Sequence, residues 1–220
     1  MRRTGPIPLL CVLLLLACAP TEPGLEQGPR AEVTHDGLRR VDHPRRFQRV
    51  WIKPGASLAG YSKIVTVDAG IHYTRPPKSS RDEFPISEQQ LENLRGGLRQ
   101  AIEEELTRGG RFTLVDQRGP DVLALRVALI DVFLAQPRES TVRDQSYGSD
   151  AGSATLVVEI FDSQSLEILA RIADRGVAQR DSSSWRNDAI TNRQAAKRLF
   201  QDWARRLGDA LESAQSLAPP

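Results

Sequence analysis

Hydrophobic positions along the chain fall into two periods, and the switches between them lay out the elements. Leu91, Leu94, Leu98, Ile102 and Leu106 recur at three- and four-residue steps, one stripe of a helix. Ser87, with Gln90 three residues on, forms a capping box at its start, and Gly109-Gly110 stop it. Glu103, Glu104 and Glu105 are expected mostly to face water. Ala196, Leu199, Trp203, Leu207, Ala210 and Leu211 mark a second, closing helix over residues 188–214. The remaining apolar positions alternate. Residues 49–53, 63–69 and 111–116 read as short strands. Gly119-Pro120 turns the chain into a long strand, 121–135, with Leu123, Leu125, Val127, Leu129 and Phe133 on one face and Arg126 on the other. Leu156, Val158 and Ile160 point inward from 155–162, and 166–177 returns as its hairpin partner across Asp162-Ser163-Gln164-Ser165. The order β-β-α-β-β-β-β-α, with each element one-sided, predicts an α+β two-layer sandwich: a mostly antiparallel sheet of about five to six strands with two amphipathic helices on one face.

The ends of the chain lack this patterning. Arg2 and Arg3 precede an apolar run of about ten residues that ends at Cys18, too short to cross a ~30 Å hydrocarbon core, so residues 1–17 read as an export signal. Residues 18–47 are poor in large apolar side chains and rich in Pro, Gly, Glu and Arg, the composition of a flexible tether with a reach of ~30 Å. Arg39, Arg40, Arg45, Arg46 and Arg49 near its end read as a solvated charge run, with anionic lipid headgroups as the alternative contact. One domain is expected over 48–215, followed by a disordered tail, 216–220.

Charge and residue counts narrow the chemistry. The net charge is +2, and it resides in Arg2 and Arg3, so a chain without the signal is neutral and lacks the basic face that nucleic acid requires. Cys11 and Cys18 are the only cysteines, so processing of the signal leaves no thiol for a disulfide or a thiol-based metal site, and neither a metal nor a cofactor is expected. His35 and His43 lie in the tether, so a metal or a His-assisted nucleophile would rest on His72, which reads instead as a solvent-facing strand-end residue. Asp131 interrupts the apolar face of the long strand and marks a bend more readily than a tuned acid. A polar cluster of Asp68 with Tyr61 or Tyr73 is open on sequence grounds. Ser182-Ser183-Ser184 lacks the strand–turn–helix context that activates a serine. Trp51, Trp185 and Trp203 form a conceivable sugar-stacking set, although Trp203 lies on the apolar helix stripe.

Two resemblances sharpen this picture. Leu15-Leu16-Ala17-Cys18 resembles the lipobox of bacterial lipoproteins, departing from it in the bulk of Leu16, and the resemblance makes Cys18 the lipid-attachment site. Ala19 in place of Asp after the cysteine is similar to the Gram-negative pattern for outer-membrane sorting. Asp36-Gly37-Leu38, Val50-Trp51-Ile52-Lys53-Pro54-Gly55-Ala56, Gly60-Tyr61, Val65-Thr66-Val67-Asp68, Val158-Glu159-Ile160-Phe161-Asp162 and Trp203-Ala204 resemble the Gram-negative lipoproteins grouped as domain of unknown function 3313. Where that family would have a glycine in the turn after Asp162, this chain has Leu166-Glu167. The resemblance implies a periplasm-facing outer-membrane lipoprotein and carries over no catalytic residue. The expectation is a non-enzymatic domain, anchored in the membrane through Cys18, that binds an envelope protein or cell-wall component. Loops 136–153 and 74–85 would supply the contacts, with Arg138, Tyr147, Arg75 and Lys78 as candidates, or a free sheet edge would accept a strand. A small-molecule or glycan module would instead need a pocket lined by Trp or Tyr. A carboxylate-based cell-wall hydrolase would need two acids facing one cleft.

Overall fold

The computed structural model describes residues 25–26, 28, 31–42, 44–71, 86–134, 150–180 and 189–216. Seven strands form one sheet: β1 (Arg39–Arg40), β2 (Arg49–Ile52), β3 (Lys63–Ile71), β4 (Thr113–Leu114), β5 (Val122–Leu134), β6 (Asp150–Asp162) and β7 (Ile168–Gln179). The helices are α1 (Glu88–Thr107), followed by a 3-10 turn, and α2 (Ala189–Ser216). Strand order across the sheet is β1-β2-β7-β6-β5-β3-β4.

This is the expected α+β architecture with a different sheet. Pairing is antiparallel from β1 through β5, but β3 lies parallel to both β5 and β4. The sheet is therefore mixed, because α1 carries the chain back between β3 and its neighbours, and a helical crossover returns a strand in the direction it left. The seventh strand comes from the segment expected to be a tether. Residues 31–42 instead fold onto the sheet: Val33 bridges Arg39, β1 pairs with β2, and Leu38, Val41 and Phe47 are buried. The buried side chains of Leu38 and Val41, with the Asp36–Arg171 ion pair, seat a segment that is otherwise polar.

Both helices pack on the same layer of core. Leu123, Leu125, Leu156, Val158 and Ile160 from the sheet meet Leu98, Ile102 and Leu106 of α1 and Phe200, Trp203, Leu207 and Leu211 of α2. The capping box at α1 forms as its sequence requires: the Gln90 N–H donates to Ser87 Oγ at 3.2 Å, and the Ser87 N–H donates to Gln90 Oε1 at 2.8 Å. Glu105 departs from expectation. It is buried, and Arg108 and Arg111 neutralise it at 2.8 and 3.4 Å. Among the described residues, no helix is long and apolar enough to cross a membrane.

The far end of β5 also departs from simple alternation. Asp131 adopts a left-handed φ of 51° and the register with β6 shifts between Ile130 and Phe133. The bulge turns Val132 into the core and Phe133 outward, 58% exposed, the reverse of the alternation pattern. Beyond it, β6 begins at Asp150, so Ala151 and Ala154, expected in or beside a long loop, are buried sheet residues.

Candidate functional site

Side-chain size along the inner face of the sheet determines where a cavity opens. Leu156, Val158 and Ile160 fill the layer at one end of β6, whereas Gly152 and Ala154 of β6 and Ala178 of β7 leave it thin at the other. Gly97 and Ala101 of α1 and Ala189 and Ala196 of α2 face the same region. Seven small residues on four elements cannot close the gap between helices and sheet, and a half-open cleft of about 680 Å³ results. Its volume lies within the few-hundred to ~1,000 Å³ range of small-molecule sites.

The cleft is apolar within and polar at its mouth. Leu94, Leu129, Val132, Leu199 and Phe200 form much of its wall, and the exposed ring of Phe133 stands at its edge because of the Asp131 bulge. The α1 side of the mouth carries Gln90, Asn93, Gln100, Glu92 and Glu104. Both of its carboxylates are engaged, Glu92 by Arg95 at 2.6 Å and Glu104 by the Gln100 amide at 2.7 Å. The α2 side carries Arg193 and Lys197, both exposed, and neither has an anionic partner among the described residues.

The ionisable groups elsewhere are structural. Asp174, buried on the inner face of β7, accepts hydrogen bonds from Trp203 Nε1 at 2.9 Å, Arg206 at 3.0 Å and the Gln48 N–H at 2.9 Å. It ties β7 to α2 and to the segment before β2. On the opposite face of the sheet, Arg126, Glu159 and Arg171 lie in register on β5, β6 and β7, and Asp36 closes the row by pairing with Arg171 at 2.5 Å. Burial raises the Asp36 carboxyl, but the hydrogen bonds and charge of Arg171, aided by Thr34, outweigh it and hold the pKa at about 2. Next to this row, Glu32 accepts from Trp51 Nε1 at 3.0 Å and from Arg40 at 2.9 Å. Tyr61 donates to Asp162 at 2.8 Å; burial first, then that carboxylate, pushes the phenol up to about 12.

Few of the residues singled out from the sequence meet at the cleft. Cys18, Arg75, Lys78, Arg138 and Tyr147 lie outside the described residues, as do His43, His72, Tyr73, Trp185 and Ser182-Ser183-Ser184. His35 and Asp131 are exposed. Trp51 and Trp203 are buried and fully hydrogen-bonded, so these two offer no stacking platform. Nor do the buried acids converge: Glu105 lies on α1 among arginines and Asp174 under α2. Among the described residues, no cluster of three His, Cys, Asp or Glu could hold a metal ion. The cleft itself went unread. Its sequence signal is the coincidence of Gly152, Ala154 and Ala178 with Gly97 and Ala196, and it becomes visible only once strand register and helix pairing are known.

Comparison with known proteins gives one firm result. A family model described as a protein of unknown function (DUF3313) matches residues 31–207. No curated protein matches the chain. Among solved structures, protein XCC0632 of Xanthomonas campestris, from the DUF330 family, is similar over 74% of this chain and 91% of its own, with 13% identity and a TM-score of 0.45. A putative neuraminyllactose-binding hemagglutinin homolog of Helicobacter pylori covers 72% and 91%, with 12% identity and a TM-score of 0.40. PelC of Paraburkholderia phytofirmans, crystallised as a dodecamer, covers 72% and 96%, with 12% identity and a TM-score of 0.36.

Proposed function

The chain belongs to the DUF3313 family of proteins of unknown function, and from that footing we propose that it is a lipid-anchored envelope protein whose α+β domain binds a partner non-enzymatically. The observation that carries the binding role is the 680 Å³ cleft between α1, α2 and the open end of the sheet. A concave, largely apolar surface with amides at its mouth and two cations there that lack an anionic partner suits a binding role, and among the described residues the carboxylates lining it, Glu92 and Glu104, both lie on α1 rather than facing each other as glycoside hydrolysis requires. Leu15-Leu16-Ala17-Cys18 supports attachment through Cys18, and Ala19 supports the outer membrane with the domain facing the periplasm.

Two experiments test the reading. Cys18→Ser releases the protein from the membrane fraction to the soluble periplasm; a variant that stays with membranes after high-salt washing refutes the anchor. A photo-crosslinking residue in place of Gln100, at the mouth of the cleft, captures the partner in intact cells. Equal capture from Gln117, an exposed residue absent from the cleft's lining, would remove the cleft from the proposal.

A further inference from the structure

The chemistry of the cleft narrows its occupant. Its wall is aliphatic and aromatic, with Leu94, Leu129, Val132, Leu199 and Phe200 presenting no hydrogen-bonding side chain to a ligand's body. Polar side chains from both helices also line the cleft, and the charged ones on the two helices differ. On α1 Glu92 is paired with Arg95 and Glu104, held by the Gln100 amide, keeps its single negative charge, whereas on α2 Arg193 and Lys197, one turn apart on the same face, are exposed with no anionic partner among the described residues and, with Glu92 neutralised, give the lining a net positive balance. An apolar interior with unneutralised cations on one lip is complementary to a long apolar tail bearing a single anionic head. A volume of about 680 Å³ lies within the range of sites that hold a single small-molecule ligand.

Resting on the reading of the cleft as the binding site, we infer that its ligand is a long-chain fatty-acid carboxylate, with the chain between α1 and the Gly152–Ala154–Ala178 floor and the carboxylate between Arg193 and Lys197. Arginine supplies a forked pair of donors to a carboxylate, and lysine a mobile point charge beside it. The bulge at Asp131 contributes by turning the Phe133 ring to the edge of the cleft, where it covers the tail as it enters.

Calorimetry with the full chain carrying Cys18→Ser, purified without detergent and titrated with hexadecanoate below its micellar concentration, tests the assignment. Hexadecanoate binds one per chain, and octanoate binds at least a hundredfold more weakly, since each methylene removed from an apolar site costs severalfold in affinity. Arg193→Glu with Lys197→Glu, both on the surface, lowers hexadecanoate affinity at least tenfold while the thermal melt is unchanged. Ala196→Trp, which fills the cleft, abolishes binding. Equal affinity for hexadecyltrimethylammonium, or unchanged affinity in the charge-reversed variant, overturns the anionic head; uptake of diacyl phosphatidylglycerol from vesicles overturns the single chain. If hexadecanoate fails to bind while the crosslinker at Gln100 still captures a polypeptide in cells, the fatty-acid assignment falls and the cleft remains a partner site. Loss of both overturns the two readings together.

Discussion

Asp174 shows how one buried carboxylate holds three parts of the chain. Its oxygens accept from the indole of fully buried Trp203, from Arg206 and from the Gln48 backbone, so its removal leaves the indole and the Gln48 N–H without an acceptor, while Arg206 keeps Asp202 and the Arg46 carbonyl. Asp174→Ala is expected to cost about 2–3 kcal/mol in urea denaturation. Pairing it with Arg206→Ala recovers part of that loss, and a double-mutant coupling near zero would contradict the network. Leu166 makes the opposite case. It occupies the turn between β6 and β7 with a left-handed φ of 59°, where Asp162 braces the turn by accepting the N–H groups of Gln164 and Ser165 at 3.0 and 2.6 Å. A leucine in that conformation is strained, and asparagine tolerates it better, so Leu166→Asn is expected to raise stability by roughly 0.5–1 kcal/mol. A drop in melting temperature would contradict the strain. The backbone at Leu166 takes the left-handed conformation that a glycine adopts without strain.

Helices and strands were legible where their period ran unbroken. The stripe from Leu91 to Leu106, the Ser87 cap and the inward trio Leu156, Val158 and Ile160 follow directly from spacing. Val132 and Phe133 were not legible, because a bulge reverses the faces of every residue beyond it and leaves the composition unchanged. The parallel pairing of β3 was hidden for another reason: direction depends on which strand the helix returns to, a property of the whole layer. Close packing of α2 on β7 is equally invisible in the sequence and has a sharp signature in the structure. A Cβ at Gly176 would come within 2.6 Å of Leu199 Cδ1 and Trp203 Cζ2, so Gly176→Ala is expected to cost about 2 kcal/mol by forcing α2 off the sheet. At Gly208 the near neighbour is the terminal nitrogen of Arg111, which can swing aside, and Gly208→Ala should cost less than Gly176→Ala. A reversed ranking in chemical denaturation would show that α2 is not held where the geometry places it.

The molecule as a whole has two unlike faces. One layer of helices covers the core and frames the cleft, while the opposite face of the sheet carries the Arg126–Glu159–Arg171 row, onto which Asp36 straps the segment 31–42. Because the folded-state pKa of Asp36 is about 2, below the ordinary 3.8, this strap stabilises the protein above pH 4 and is lost as pH falls through 2. Wild type should therefore lose roughly 2 kcal/mol relative to Asp36→Asn between pH 5 and 2, measured by urea denaturation at each pH. A constant difference between the two would show that the strap does not form. The candidate loop residues and Cys18 lie outside the described residues, and the cleft depends instead on how helices pack over the sheet, which no local spacing encodes.

The position of β2 beside β7 has a consequence for how the molecule assembles. Gln48 and Asp174 lie 126 residues apart in the chain, yet their contact seats the first strands on the last one. A chain emerging from its N-terminus holds the β1–β2 pair with one edge of β2 uncovered until β7 exists, and closing so long a loop is entropically slow. The β1–β2 edge is thus the last to dock in refolding, and in pulsed hydrogen exchange its amides should gain protection after those of β5, β6 and β7.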